Sequence, residues 1–444
     1  MKSSSNNQLL IKHLLRRAGF GPTPAELQFY ESMGYDKSLK YLLEPDRNDD
    51  SELDGLISTQ NFDYTRLDDL KRWWIYRMAY TRNPLREKMT LFWHGHFATS
   101  NAKVESPYAM YMQNLLFRQL GMGNFHTLLL ASTKQPAMIR WLDNQQNTKG
   151  KPNENYAREV MELFSLGIGN YSEQDIKESA RAFTGWQTHQ DGFFFNAKDH
   201  DYGNKTFLGE TGNYNGDDII EIISQQPAVG KFLATKLCKF FVSDEPSAAI
   251  IADVAHAYKP SGDNIRAMLN TMFKHDEFQR GSFYARIKSP IEFVIGSLKT
   301  LDVRQLDNDL ASKAALMGQN LFEPPNVKGW DGGTTWIATD TMMERFNFAS
   351  RLTQEKFDAI EGYVKPFELV KGQGLTEPAD MVQYFLKLLV DENVPAEVPS
   401  DLLHYLCSDS SGKQINPMQD EKTLDSKLRG LVHLIMTLPI YQFC

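Results

Sequence analysis

Helix start signals recur along the whole chain and constrain its fold more than any other feature. Thr23 precedes Pro24 and stands three residues before Glu26, a spacing typical of a capped helix N-terminus. The same arrangement returns at residues 171–183 (YSEQDIKESARAF) and at residues 289–301 (SPIEFVIGSLKTL). Loops of Gly, Pro and Asn separate the helical segments. The sequence therefore predicts a mainly α fold, a multi-helix globular bundle.

Strand patterns are rare in this chain. The best candidate is GFFFN at residues 192–196, which predicts at most a small β-hairpin. A change of composition near residues 354–375 predicts two domains: a main helical domain over residues 1–353 and a C-terminal helical subdomain over residues 354–444.

Composition and charge exclude several classes of protein. The formal net charge is −8 and no dense Lys/Arg run occurs, so a nucleic-acid-binding role is not expected. No window approaches 18 uninterrupted apolar residues, so no transmembrane segment is expected. The N-terminal apolar stretch is interrupted by Lys12 and His13 and is not a convincing signal peptide. We therefore expect a cytoplasmic protein, or an exported one if the sequence was trimmed after a native signal peptide.

A glutamate lies among the apolar residues of one predicted helix. In helical projection, Glu159 falls between Leu163 and Leu166, inside an apolar arc. An ionised carboxylate on a core-facing stripe must be paired, ligated or protonated, because burying it alone costs several kcal/mol. Asn155 and Glu162 follow the same edge of this helix. Two interpretations stay open: an internal salt bridge, for example with Arg181, or paired carboxylates of an acid/base or metal site.

Histidines elsewhere could join this carboxylate. His96 shares a helical face with apolar residues, and His94 would converge with it if Gly95 ended the helix. His200 and Asp201 are adjacent in a polar loop, an arrangement suited to metal binding, to proton transfer or to turn formation. Together with Glu159 and Glu162, these residues would suit a divalent zinc, manganese or iron ion.

Residues 319–336 (QNLFEPPNVKGWDGGTTW) form a further candidate region, a Pro/Gly-rich loop with ordered aromatic residues. Trp330 could stack against a sugar ring, or it could anchor the loop to the body of the protein. The chain contains no GxxxxGK[ST], GxGxxG, HExxH or GxSxG motif. Nucleotide phosphate chemistry and serine hydrolysis are therefore not supported.

Six stretches read together resemble a large bacterial family known as domain of unknown function 1800. They are residues 13–27, 92–100, 141–186, 200–209, 288–298 and 322–337. The resemblance implies a mostly helical protein and a gene neighbourhood with a phosphatase/sulfatase-like family, but it brings no established catalytic residues. The family motifs fall here on Trp93, His94, His96, Asn153, Glu154, Asn155, Arg158, Glu159, Glu162, Thr184, Gly185, Trp186, His200, Asp201, Lys205, Asn326, Gly329, Trp330 and Asp331.

Two functional hypotheses follow from these residues. The first is a metal-assisted hydrolase in which a bound divalent ion activates water. Its predicted catalytic residues are Glu159, Glu162, His200 and Asp201; its predicted metal ligands are His94, His96, Glu159 and His200; its predicted substrate-binding residues are Arg158, Lys205 and Trp330. The alternative is a non-catalytic accessory or binding protein that acts with a phosphatase/sulfatase-like partner.

Overall fold

The computed structural model describes residues 2–354 and 364–444. In chain order, the first helices are α1 (Lys2–Arg17), α2 (Pro24–Met33), α3 (Tyr35–Leu43), α4 (Ser51–Thr59), α5 (Leu67–Tyr80), α6 (Pro84–His96), α7 (Asn101–Val104), α8 (Pro107–Leu120), α9 (Phe125–Thr133), α10 (Pro136–Trp141), α11 (Glu154–Glu162) and α12 (Glu173–Ala182). Four short strands follow: β1 (Trp186–His189), β2 (Gly192–Phe195), β3 (Lys205–Phe207) and β4 (Glu210–Gly212). The remaining helices are α13 (Gly216–Gln225), α14 (Ala228–Phe241), α15 (Ala248–His256), α16 (Ile265–Lys274), α17 (Pro290–Thr300), α18 (Leu310–Leu316), α19 (Thr339–Thr353), α20 (Pro366–Gly372), α21 (Pro378–Val390), α22 (Val398–Leu406) and α23 (Glu421–Thr437).

This architecture confirms the mainly α fold class. The predicted capping signals are present where the sequence placed them: Thr23 and Glu26 form a capping box at α2, and Ser172 and Asp175 form one at α12. Such boxes satisfy the free backbone N–H groups at a helix N-terminus, which is why these helices begin at these residues. Among the described residues, no helix has the length and apolar character needed to cross a membrane.

In the part of the chain that the structure describes, the strands form two separate antiparallel hairpins. The predicted strand at residues 192–196 is found as β2, which pairs with β1 so that Trp186 lies opposite Phe195. β3 pairs with β4, with Lys205 opposite Gly212. This second hairpin was not anticipated from the sequence, because three-residue strands are too short to show an alternating pattern.

The chain divides into two compact units. Unit 1 comprises Met1–Ser38, Phe283–Asn320 and Gly332–Cys444, and unit 2 comprises Leu39–Ser282 and Leu321–Asp331. Each unit is therefore discontinuous in sequence. The predicted boundary between residues 353 and 354 adjoins residues 355–363, which lie outside the described residues, so the division into a main domain and a C-terminal subdomain stays a prediction.

Aromatic residues fill the core of unit 2. Trp93 on α6 is fully buried, and its indole N–H donates to the carbonyl oxygen of Gly121 at 2.7 Å. The Phe97 ring stacks on Trp93 with a centroid distance of 5.5 Å, and Phe125 packs against the same indole at 5.9 Å. Phe164, which follows α11, contacts Phe97 at 5.3 Å. This cluster holds the ends of α6 and α11 close together, and both helices carry predicted site residues.

Candidate functional site

The loop of residues 321–331 packs directly on the last turn of α6. Gly329 has a φ angle of +82°, and a Cβ atom placed there would lie 2.4 Å from the Gly95 carbonyl oxygen. Only glycine fits this close approach of two backbones. The Phe322 backbone N–H donates to His94 Nε2 at 3.1 Å, and the Trp330 ring lies 5.5 Å from the His94 ring. Two motifs far apart in sequence therefore form one local structure.

The two histidines of the α6 motif do not converge. The helix continues through Gly95 to His96, so the condition under which the two imidazoles would converge is not met. His94 faces Phe322 and Trp330, whereas His96 donates from Nε2 to the Phe164 carbonyl oxygen at 3.0 Å. Residues two positions apart on a continuous helix leave it in different directions, which separates the two imidazoles.

Both histidines are held neutral by their surroundings. Burial lowers the pKa of His94 to about 3 and that of His96 to about 3, because the imidazolium would lose its hydration in this aromatic core. The neighbouring Lys236 lowers the pKa of His96 further. Within residues 2–354 and 364–444, the buried Nδ1 atom of His96 has no hydrogen-bond partner. At neutral pH both rings are therefore neutral, and each has one nitrogen already bonded to the backbone.

Glu159 lies half-buried at the edge of the apolar face of α11. In the part of the chain that the structure describes, its carboxylate makes no hydrogen bond or ion pair. Burial raises the pKa of Glu159, the neighbouring Glu162 raises it further, and Arg158 and Lys328 oppose the increase. Lys328 is an exposed residue of the 321–331 loop. Charged residues of α11 and of the 321–331 loop therefore both influence the pKa of Glu159.

The remaining charged groups around α11 have partners within unit 2. Arg158 makes a bidentate ion pair with Glu173, with N–O distances of 3.0 and 2.8 Å. The Tyr171 hydroxyl donates to Glu162 Oε2 at 2.8 Å. The predicted salt bridge between Glu159 and Arg181 is absent, because Arg181 pairs with Asp201 and Glu178 instead. Arg158, predicted to bind substrate, is thus engaged at the surface of α12.

His200 and Asp201 form a second, separate group beside α12. His200 is buried, and its Nδ1–H donates a hydrogen bond to the Thr184 carbonyl oxygen at 2.9 Å. Asp201 pairs with Arg181 at 2.8 Å, and this guanidinium lowers the pKa of Asp201. Burial lowers the pKa of His200. The Lys205 ammonium donates to the carbonyl oxygens of Asp201 and Gly203. These bonds fix the 196–205 loop on the end of α12.

The predicted site residues therefore fall into two groups. No hydrogen bond or ion pair among the described residues joins Glu159 or Glu162 to His200 or Asp201. No three or more His, Cys, Asp or Glu side chains in the described ranges are grouped so that they could hold a metal ion. The set of His94, His96, Glu159 and His200 stays a prediction as a metal site and gains no support from this geometry.

Comparison with known proteins identifies the family. A family model described as "Protein of unknown function (DUF1800)" matches residues 13–443, which is nearly the whole chain. The chain belongs to the DUF1800 family. This confirms the resemblance inferred from the motifs, and it places the α6, α11 and 321–331 segments within one DUF1800 domain. Searches among curated proteins and among solved structures found no match.

Sequence reasoning missed Lys328 as a charged neighbour of Glu159. Lys328 stands between Asn326 and Gly329, which are both motif positions, but a lysine in an exposed loop gives no periodic signal. Its neighbourhood with Glu159 depends on Gly329, whose contact with Gly95 seats the loop on α6. The motif spacing could have suggested that this loop is ordered, but not which helix it meets.

Proposed function

We propose that this DUF1800 protein is a non-catalytic binding or accessory protein whose partner contacts Glu159, Glu162 and Lys328. The observation that supports this proposal most is the state of Glu159. Among the described residues its carboxylate has no bonded partner, yet it is half-buried and its pKa is raised. A carboxylate in this position gains stability from a ligand that supplies a cation or a hydrogen-bond donor.

The other polar motif residues bond to the protein itself and so maintain the fold. This structural use favours a binding role over a catalytic one. His94 accepts from Phe322, His96 donates to Phe164, and His200 donates to Thr184. Asp201 and Lys205 hold the loop that they belong to. Trp330 packs beside His94, which agrees with an anchoring role for this side chain. Among the described residues, Glu159 is thus a half-buried motif carboxylate without a bonded partner, and Glu162 and Lys328 are its charged neighbours.

The partner proposed is the phosphatase/sulfatase-like protein that the family resemblance implies as a gene neighbour. A basic or hydrogen-bond-donating segment of that protein would face Glu159 and Glu162, and one of its acidic groups would face Lys328. Such pairs across an interface set its register and specificity.

Titration calorimetry with the purified phosphatase/sulfatase-like neighbour tests this proposal. We expect saturable binding to the wild type and an affinity loss of about tenfold or more in Glu159→Gln, equivalent to about 1.4 kcal/mol. The matched control is Glu154→Gln, on the same helix but paired with Arg158 at its surface, and it should bind as the wild type does. Absence of binding to a folded wild-type protein, or an equal loss in the control, would overturn the proposal.

A metal-assisted hydrolase is the second candidate, and the adjacency of Glu159 and Glu162 is the observation that favours it. Two neighbouring carboxylates, one of them with a raised pKa, commonly act in acid/base catalysis or as metal ligands. Elemental analysis of protein purified without chelator, after zinc, manganese and iron have been offered, distinguishes the candidates. Near-stoichiometric metal that disappears in Glu159→Gln and in His96→Ala would favour the hydrolase.

A further inference from the structure

Unit 1 contains a small cavity lined by charged side chains. Arg16 of α1, Lys288 just before α17, Glu292 of α17 and Tyr441 line this cavity, which has a volume of about 30 Å³. A buried water needs roughly 10 to 15 Å³ by the same measure, so the space suits about two or three waters, or a molecule of about three or four covalently bonded heavy atoms. All of these residues belong to unit 1 and take no part in the site around Glu159.

Basic side chains outnumber acidic ones in the network of charged residues to which this cavity belongs. Arg16 and Lys12 both pair with the single carboxylate of Asp391, with 2.8 Å between Lys12 Nζ and Asp391 Oδ1. Arg286 pairs with Glu292. In the described part of unit 1, this network contains five cationic side chains and the carboxylates of Asp391 and Glu292. Arg16 and Lys288 line the cavity, and Lys12, Arg286 and Arg345 lie behind them.

Among residues 2–354 and 364–444, two of these cations have only neutral bonding partners. Arg345 is completely buried and donates to the Trp336 carbonyl oxygen at 3.0 Å and to the Lys288 carbonyl oxygen at 2.7 Å. Lys288 donates from Nζ to the Tyr441 carbonyl oxygen at 2.6 Å, and its ammonium lies 3.7 Å from the centre of the Tyr441 ring. Cys444 lies within electrostatic range of both, and one negative charge there would still leave the cations in excess.

We propose that unit 1 binds a small monovalent oxyanion, of the size of formate or bicarbonate, in this cavity between Arg16 and Lys288. Buried cations without a counter-charge are costly, and an anion of this size supplies the missing charge within the available volume. The guanidinium of Arg16 keeps an N–H group for an oxyanion because an arginine has five such donors, and Asp391 engages its two terminal nitrogens. The Lys288 amine supplies the second contact.

Anion binding at this cavity is coupled to protonation of Lys288. Burial lowers the pKa of Lys288 to about 7, Arg16 and Arg345 lower it further, and Cys444 and Asp391 oppose the decrease. An anion beside the amine favours the ammonium form and raises this pKa. Binding near neutral pH therefore takes up a proton. The affinity for the anion is greatest below the pKa of Lys288 in the anion-free protein. It falls as pH rises above that pKa, by up to about tenfold per pH unit.

Calorimetric titration of the full chain with sodium formate and with sodium bicarbonate tests the proposal. Each titration is run on both sides of neutral pH and in two buffers of different ionisation enthalpy, which measures proton uptake directly. We expect saturable binding of at least one anion with proton uptake and with weaker affinity at the higher pH. The tighter ligand distinguishes carboxylate from carbonate chemistry. If the wild type bound neither anion saturably, or bound one without proton uptake, this result by itself would overturn the proposal.

A pair of variants adds a second readout. Lys288→Met removes the amine with little change in side-chain length, and we expect it to weaken anion binding at least about tenfold, which is the effect of losing one charged contact. The matched control is Lys422→Met, an exposed lysine of α23 in the same unit, which should bind as the wild type does. Equal affinity in folded Lys288→Met would place the anion elsewhere and contradict the assignment.

Discussion

At the scale of single residues, Glu87 shows what a buried carboxylate requires in this protein. It is 1% exposed, and Arg118 donates to both of its oxygens, with Nη2 at 2.8 Å from Oε2. The Trp74 indole N–H adds a bond at 3.1 Å, and Arg77 lies 3.5 Å away. Because of these partners, the pKa of Glu87 stays below its ordinary value despite complete burial. Burial alone does not mark a functional carboxylate.

Replacing Glu87 by glutamine should strongly destabilise the protein. The substitution removes the negative charge and leaves the buried Arg118 without its counter-ion, so we expect a loss of about 3 to 5 kcal/mol in the free energy of unfolding. Urea unfolding at neutral pH measures it. Glu52→Gln is the control, because its pair with Arg82 is largely exposed, and it should cost less than about 1 kcal/mol. Similar losses in both variants would contradict this account of Glu87.

Glu159→Gln should have the opposite effect on stability. The pKa of Glu159 is raised in the folded protein, which means that folding disfavours its ionised form. A neutral glutamine removes this penalty, so the melting temperature should equal or exceed that of the wild type. Thermal unfolding followed by circular dichroism measures it. A clear decrease would indicate an ion pair that stabilises Glu159, and the carboxylate would then be structural, as Glu87 is.

Asp391 should contribute to the acid sensitivity of unit 1. Arg16 and Lys12 hold the pKa of Asp391 well below its usual range, although burial acts in the other direction. Its folded pKa lies below the unfolded value of about 3.9, so its stabilisation is complete above that pH and is lost as pH falls further. Asp391→Asn, which tolerates the left-handed backbone at this position, should lower stability at neutral pH and reduce the loss of stability below about pH 4. Urea unfolding across this pH range provides the measurement, and an unchanged acid slope would contradict it.

At the scale of elements, the contact between α6 and the 321–331 loop depends on Gly329. Gly329→Ala should destabilise this contact, because the new Cβ would lie 2.4 Å from the Gly95 carbonyl oxygen. Gly150 has a similar φ of +84°, and a Cβ there would meet no atom within 4 Å, so Gly150→Ala isolates the backbone penalty of about 1 to 2 kcal/mol. We expect Gly329→Ala to cost at least about 1 kcal/mol more. Hydrogen exchange at residues 321–331 and urea unfolding test the difference, and equal losses would show that the close contact has little energetic weight.

The sequence predicted elements better than it predicted contacts between them. Helix starts such as Ser289 were correct because capping is local and depends on residues within one turn. The strand at residues 192–196 was found for the same reason, since its pattern lies within one short segment. The end of α6 could not be predicted from the sequence, because packing carries this helix past Gly95 despite the weak helix propensity of glycine.

The candidate site was predicted in part. Helical periodicity placed Glu159 near the apolar edge of α11, and the structure has it half-buried there. The charged neighbours of Glu159 could not be predicted. Arg181 forms its ion pair with Asp201, and Lys328 lies in a loop far along the chain. Periodicity describes how one helix is oriented about its own axis, whereas these pairs depend on tertiary packing.

At the scale of the whole molecule, the N-terminal and C-terminal segments complete one another within unit 1. Residues 364–444 supply α20 to α23, and α21 is followed directly by Asp391, the partner of Lys12 and Arg16 in α1. Deleting residues 364–444 should therefore expose α1, α2 and α17 to exchange while α6 and α11 in unit 2 keep their protection. Hydrogen exchange with mass spectrometry measures both sets. Retained protection of α1 and α17 would instead favour the predicted independent domain over residues 1–353.

The pair of Lys12 and Asp391 also has a consequence for how the protein is made. The two residues are separated by 379 positions in the chain. At a synthesis rate of about 5 to 20 residues per second, Asp391 is synthesised roughly 20 to 75 s after Lys12 of α1. During that interval the apolar face of α1 lacks the part of its native surface that residues 364–444 supply. We expect the nascent chain to need a holding chaperone, and unit 1 to be the last part of the molecule to become resistant to protease.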